Sequence, residues 1–298
     1  MSISNKKVLC TLAVSTKYEK MFDRYCRKSW SEYCSNYSYD MVVITNLLDD
    51  SIRGRERSPS WQKLLILSQD WSSQYEQVVW VDADVMINAK TAPDIAKIVP
   101  VHKVGAVEAY SIPSEAIKKI ALQRQYDAWH AQGVNFIDNA TPSLYYEKRG
   151  IPGGALDKVT QGGVLVCSPK DHKEIFEHIY YRYEDENKSA DWNYEMPAMS
   201  YELVKNNLIE WIPSEFNFCV SDLTSAFYPF IFDSSSPKSL VGRALAKISR
   251  NLKIVSKDPK SLLRRQCLKN VYDLGYFTHF AGCSSMMEEL YQSLQDTE

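Results

Sequence analysis

The sequence predicts an α/β fold with a mixed, mostly parallel central sheet flanked by helices. Short apolar runs alternate with helical patterns along most of the chain, as strands laid side by side and covered by helices require. The first three such segments, between residues 8 and 46, form one βαβ unit. A chain of 298 residues, 45% hydrophobic and 24% charged, is large enough for a single substantial core and excludes wholesale disorder.

Taken in order, "VLCTLAVS" (8–15) reads as a strand, "KYEKMFDRYCRKSWSEYC" (17–34) as a helix and "YDMVVITN" (39–46) as the next strand. "SPSWQKLLILSQDW" opens with Ser58 and Pro59, a helix-start pair, and carries apolar residues at helical spacing up to Trp71. "QVVWVDAD" returns to strand, "PDIAKIV" reads as helical, "KVGAVEAY" as extended and "SEAIKKIALQRQYDAWHAQ" as helical. Residues 135–157 look like a loop, "QGGVLVCSP" (161–169) is a strand, and "KDHKEIFEHIYYRYEDE" gathers Ile175, Phe176, Ile179 and Tyr183 on one helix face. "SADWNYEMPAMSYELVKNN" reads as mostly helical with Pro197 in its first turn, "LIEWIP" and "YFTHFAG" as strands, and "SSMMEELYQSL" as a closing helix. The expected organisation is a single catalytic-sized domain over 1–298, with a basic helical insertion at about 234–273.

The formal net charge of −2 hides an asymmetry, because Pro237 to Asn270 holds ten Lys or Arg residues and one acid, Asp258. Seven scattered cysteines with no Cys-x-x-Cys pair predict a reducing, cytoplasmic compartment and no zinc site. No run reaches membrane-span length, and the apolar stretch Val8 to Val14 reads as a buried strand rather than a signal peptide.

The chemistry centres on "VVWVDADVMIN" (78–88). A bare Asp-x-Asp arises by composition roughly once in a chain this long, so its position decides its meaning. Asp82 and Asp84 stand where an apolar strand stops, and in open α/β sheets ligands collect beyond the carboxyl ends of strands. Alternation along an extended chain puts both carboxylates on one side and Ala83 on the other. Adjacent carboxylates repel unless a cation joins them, and oxygen ligands suit Mg²⁺ or Mn²⁺. The competing reading is a solvated acidic turn.

"VVWVDADVMIN" resembles the Asp-x-Asp strand end of GT-A type nucleotide-sugar glycosyltransferases. "SPSWQKLLIL" resembles the Trp-x-Lys helix before that strand, "QGGVLVCSP" the small-residue strand beneath the sugar, and "FTHFAGCSS" the C-terminal histidine segment. The last, with His279, Phe280, Gly282 and Cys283, is similar to that of the galactosyl-, xylosyl- and mannosyltransferase group with a C-terminal His-Phe-x-Gly-Cys sequence. The resemblance implies a GT-A fold and a metal-dependent transferase taking its sugar from a nucleotide diphosphosugar, more often UDP than GDP. The acceptor would be a glycan, glycolipid or protein.

It further implies a metal site of Asp82, Asp84 and His279, with Asp84 the direct ligand and Asp82 touching the ribose hydroxyls or the metal. One nitrogen ligand tilts such a site toward Mn²⁺ over Mg²⁺. Lys63 would reach the diphosphate or one of the aspartates, against the alternative of an ordinary solvated lysine. Arg53, Arg55 and Arg57 form a basic loop able to clamp phosphate, or simply an exposed polar loop. The nucleotide would lie against Thr11, Ala13 and Ser15 and along the backbone at Ala83. Gly162 and Gly163 would let a ligand rest on their backbone while Gln161 offers its amide to sugar or acceptor hydroxyls. Asp191 or Glu195 would face the acceptor as general base in an inverting enzyme, or hold a substrate in a retaining one. Asn193-Tyr194-Glu195 departs from the Asp-Gln common in retaining relatives, whereas the His279 segment points to retention. His172 and His178 read as surface residues.

In "SLVGRALAKISRNLKIVS" (239–256) apolar residues recur at helical spacing among Arg243, Lys247, Arg250 and Lys253. Peripheral contact with an anionic membrane through 237–270, or a solvated cationic face, would account for it. The window lacks interleaved aromatics, so no nucleic-acid partner is expected. Two alternatives to a transferase remain: a nucleotidyltransferase of related fold, which "AVSTKYEKM" disfavours by lacking glycine, and a non-catalytic carbohydrate-binding or scaffold protein.

Overall fold

The computed structural model describes residues 6–130, 141–152, 154–183, 194–231 and 259–296. Its main sheet has six strands: β1 (Lys7–Leu12), β2 (Tyr39–Ile44), β3 (Gln77–Val81), β5 (Val104–Glu108), β6 (Thr160–Cys167) and β7 (Ile209–Trp211), ordered β2-β1-β3-β6-β5-β7. β1 runs parallel to β2 and β3, and β5 parallel to β7; β6 alone is reversed, antiparallel to both β3 and β5. The expected mixed, mostly parallel sheet flanked by helices is therefore present.

Strand alternation distributes the core over both faces. Leu9, Val79, Val81, Val164 and Val166 face a cluster that includes Phe22, Trp30, Tyr33 and Phe277. Val8, Cys10, Val78, Trp80 and Leu165 face a second cluster that includes Leu64, Ile66, Phe176 and Tyr180.

A second, three-stranded sheet of β4 (Val85–Ile87), β8 (Phe218–Cys219) and β9 (Phe277–His279), ordered β4-β9-β8, stands beside the first. Neither β4 nor β8 was expected, because strands of two or three residues carry no readable period. The helix Val220–Phe227 after β8 was likewise unanticipated.

Other departures have local causes. The helix expected over 17–34 is two helices, Thr16–Tyr25 and Arg27–Tyr37, broken at Cys26, whose thiol donates to the Ala83 carbonyl at 3.4 Å. The segment Pro59–Ser68 is a 3₁₀ rather than an amphipathic α-helix; Trp61 through Leu67 are all buried, so no face is left for solvent. The stretch read as loop over 135–157 contains the helix Pro142–Glu147, capped by the Thr141 hydroxyl, and residues 131–140 and 153 lie outside the described residues. His172, in the first turn of the helix that follows β6 after the single residue Ser168, is fully buried, its Nδ1 accepting from the Ser168 backbone N–H at 2.9 Å, whereas His178 is exposed as expected.

Of the basic window, residues 237–258 lie outside the described residues, including the amphipathic pattern at 239–256. The remainder falls in the helix Pro259–Leu274, where Arg264 pairs with Glu289, Arg265 with Asp296 and Lys269 with Asp273. Much of this helix's positive charge is therefore met within the protein rather than presented to a surface. Among the described residues no helix is long and apolar enough to cross a membrane. All seven cysteines are free and buried.

Trp30 joins the two sheets: it is fully buried and its indole N–H donates to the Val85 carbonyl of β4 at 2.8 Å. Trp30→Ala should cost about 3–5 kcal/mol, measured as a lowered urea unfolding midpoint by circular dichroism. An unchanged midpoint would show that β4 is held by other contacts.

Candidate metal centre

β3 ends at Val81, and its antiparallel partner β6 begins beside that end, with Val81 opposite Val164. The Asp82 backbone N–H continues the ladder by donating to the Gly163 carbonyl at 2.8 Å. The chain then turns, with Val85 N–H donating to the Asp82 carbonyl at 3.1 Å, and enters β4. Residues 82–84 are thus a tight turn and not the extended strand the alternation rule assumed. The turn still brings the two carboxylates together and sends the Ala83 side chain into the core, away from the site.

The third member arrives from the distant β9. Antiparallel pairing sets His279 opposite Val85, and the Phe280 N–H donates to the Asp84 carbonyl at 3.0 Å. His279 Nε2 lies 3.3 Å from Asp84 Oδ1 and 3.8 Å from Asp82 Oδ2. One donor atom from each of the three residues falls within 4.8 Å of the others. Two carboxylate oxygens and one imidazole nitrogen, converging at the end of a strand, suit a divalent cation such as Mn²⁺.

The remaining atoms of these groups are anchored by protein. Asp82 Oδ1 accepts from the Trp80 indole N–H at 2.8 Å and lies 3.2 Å from Lys63 Nζ, so Oδ2 is the oxygen left for a cation. His279 Nδ1 is 2.8 Å from Asn217 Oδ1. Neither Trp80 nor Asn217 was singled out in the sequence; an indole two residues before an acid carries no pattern of its own.

Lys63 is 2% exposed, which rules out the solvated-lysine reading. Its ammonium also donates to the Gly162 carbonyl at 2.9 Å and pairs with Glu195 Oε1 at 2.8 Å. Three acceptors engage its three protons, so Lys63 is committed to Asp82 and Glu195 rather than extended toward a diphosphate. Burial alone would lower its pKa, but the charges of Asp82 and Glu195 outweigh this and raise it. Glu195, also 2% exposed, is held by the same contact through Oε1, whereas its Oε2 is buried without a hydrogen-bond partner.

Gly163 serves a different purpose from the one expected. A Cβ there would lie 2.5 Å from His279 Nδ1, so its missing side chain makes room for the imidazole rather than a substrate. At Gly162 the corresponding space faces Glu195 Oε1 at 3.1 Å and Met199 Cε at 3.2 Å. Gln161 is half-buried, its Nε2 donating to Cys219 Sγ at 3.2 Å.

Other expected residues are not drawn into this cluster. Thr11 and Ala13 are buried, and Ser15 is exposed at the start of the helix Thr16–Tyr25. Asp191 lies outside the described residues. The basic loop is the short helix Ile52–Glu56, in which Arg55 lies near Asp50; the neighbouring Arg57 is 7% exposed and donates to the Tyr180 and Tyr183 carbonyls. Arg57 therefore ties this segment to the helix Pro169–Arg182 instead of clamping phosphate.

No family model and no curated protein matches the sequence. Solved structures are similar at low identity. One is a glycosyltransferase involved in glycosylation of the major capsid of PBCV-1, with 16% identity over 94% of this chain and 98% of that one and a TM-score of 0.47. Another is the WbbM bifunctional glycosyltransferase, with 11% identity over 99% of this chain and 50% of that one and a TM-score of 0.46. A third is the glycosyltransferase GlyE of Streptococcus pneumoniae, with 10% identity over 93% of this chain and 55% of that one and a TM-score of 0.44. The chain spans about half the length of the last two.

Burial alone would push the His279 imidazole down, but the adjacent Asp84 outweighs it and holds the ring well above its ordinary 6.5. Enclosure alone would raise the Asp84 carboxyl; His279 outweighs that and holds it below 3.8. Without a cation, this pair's contribution to stability is present below the ordinary imidazole value and lost as pH rises through the raised one. It is lost at the acid end as pH falls through the lowered Asp84 value. A cation takes only the neutral ring, so Mn²⁺ affinity should rise with pH above 6.5 and binding should release protons, measurable by calorimetry in buffers of different ionisation enthalpy. Affinity independent of pH would remove His279 from the ligand set. Gly163→Ala should weaken Mn²⁺ binding by about 10–100-fold by displacing His279, while Lys63→Met should cost about 3–5 kcal/mol of folding stability by stranding two carboxylates. Wild-type Mn²⁺ affinity in the first variant, or a wild-type denaturation midpoint in the second, would contradict these roles.

Proposed function

We propose that this protein is a metal-dependent glycosyltransferase that moves a sugar from a nucleotide diphosphosugar, with UDP as the nucleotide, to a glycan, glycolipid or protein acceptor. The observation that carries the proposal is the convergence of Asp82 Oδ2, Asp84 Oδ1 and His279 Nε2 at the end of a central parallel strand.

Breaking the bond between the sugar C1 and the phosphate oxygen leaves negative charge on the departing diphosphate. A bound Mn²⁺ or Mg²⁺ would offset that charge. The chain's own residues provide the setting: Asp82, Asp84 and His279 would hold the ion, and Lys63 with Trp80 keeps Asp82 Oδ1 turned away so that Oδ2 faces it. Gln161, at the entrance of β6 beside the site, has its side-chain oxygen Oε1 to accept from a sugar or acceptor hydroxyl.

Glu195 is the described acid that bears on stereochemistry. An inverting transfer needs a base open to the acceptor, and a carboxylate that is 2% exposed with Oε1 paired to a buried lysine is poorly suited to that task. This favours retention, with Glu195 acting through Lys63 to position Asp82.

Hydrolysis of a donor panel by wild type and Asp84→Ala, with and without Mn²⁺, tests the proposal. Mn²⁺-dependent release of UDP by wild type and a loss of at least about 100-fold in the variant are expected, on the scale of removing one charge-stabilising group. Wild type that neither binds nor hydrolyses any nucleotide sugar, with or without metal, would refute the enzyme reading.

A further inference from the structure

We infer that Asn217 is a positioning residue that decides which nitrogen of His279 faces Asp82 and Asp84. The inference deepens the metal-dependent reading above and concerns the proton on the imidazole. Asn217 is fully buried and ends the 3₁₀ turn Ser214–Asn217, immediately before β8. β8 runs parallel to β9 with Cys219 opposite His279, which brings the turn beside the ring.

The two ends of the Asn217 amide are chemically distinct, and its neighbours set their orientation. Nδ2 lies 3.5 Å from the Gln161 backbone carbonyl, which only accepts, so the NH₂ end points there. Oδ1 is left 2.8 Å from His279 Nδ1, and because a carbonyl oxygen cannot donate, Nδ1 must carry the hydrogen. The neutral ring then presents the bare Nε2 to Asp84 Oδ1 at 3.3 Å and Asp82 Oδ2 at 3.8 Å.

The carboxylates oppose this arrangement. Two acidic oxygens near Nε2 draw a proton onto it, and a ring protonated only there would donate to Asp84 and occupy the place a cation must take. Asn217 is the counterweight: its carbonyl oxygen holds the hydrogen on Nδ1 and so leaves Nε2 bare in the neutral ring. Gly163 leaves room for the ring in this pose, since a Cβ there would crowd both His279 Nδ1 and Asn217 Nδ2. Sequence alone offered no access to this pairing, because Asn217 sits in an unmarked turn far from the acidic pair.

Nitrogen-15 NMR of histidine-labelled protein through a pH series, with His279→Ala to assign the resonance, reads the tautomer directly. The neutral ring of wild type should carry its hydrogen on Nδ1. In Asn217→Ala the hydrogen should move to Nε2 and Mn²⁺ affinity should fall by about 10–100-fold. Asn217→Asp keeps an acceptor at the same place and should retain the Nδ1 hydrogen. A wild-type ring protonated on Nε2 overturns the inference outright, as does wild-type Mn²⁺ affinity in a folded Asn217→Ala. Should Asn217→Ala fail to fold, the wild-type and Asn217→Asp spectra still decide it. Wild type that holds the Nδ1 hydrogen yet binds no Mn²⁺ would count against the proposed function while supporting the assignment to Asn217.

Discussion

One buried ammonium group organises this protein's candidate site. Lys63 reaches the carbonyl of Gly162 on β6, the carboxylate of Glu195 at the start of the helix Met196–Lys205, and Asp82 at the end of β3. A lysine in so dry a setting is stable only because two negative charges meet it, and those charges are tolerable only because it is there. The interaction locks three elements of the fold at one point. It also spends one oxygen of Asp82, so the acid presents a single defined oxygen instead of two interchangeable ones.

The opposite wall is built by sheet register instead of charge. Pairing of β9 with β4 sets His279 against Val85, one residue past Asp84. Because strand side chains alternate, a slip of one residue would turn the imidazole to the other face. The close approach of the ring to Gly163 and the Asn217 contact then fix its rotation. The acids come from the turn at the end of the interior strand β3 and the nitrogen from β9 of the small sheet, so the centre sits on the seam between the two sheets.

Much of this was legible in the sequence, for identifiable reasons. The strands of the main sheet are apolar runs with clear boundaries, and Asp82, Asp84 and His279 belong to chemically conspicuous segments. Lys63 and its contact with an aspartate were visible, but its pairing with Glu195 was not, because that acid reaches it from a distant segment. The pairing of Glu195 with the lysine was therefore not foreseen, and the helix start at Ser58-Pro59 was legible whereas the 3₁₀ form of 59–68 was not, because spacing alone does not separate it from an α-helix. Asn217, Trp80, β4 and β8 were illegible for a simpler cause: single polar residues and strands of two or three residues acquire meaning only from what packs on them.

The pairing of β4 with β9 also has a topological consequence. Asp84 and His279 belong to widely separated parts of the chain, and an ion shared between them would act as a reversible clasp closing a very long loop. Such a clasp restricts the unfolded ensemble by an amount that grows only slowly with loop length, and ligand occupancy adds stability by mass action. Binding at this centre would therefore be felt as global resistance to unfolding as well as local chemistry.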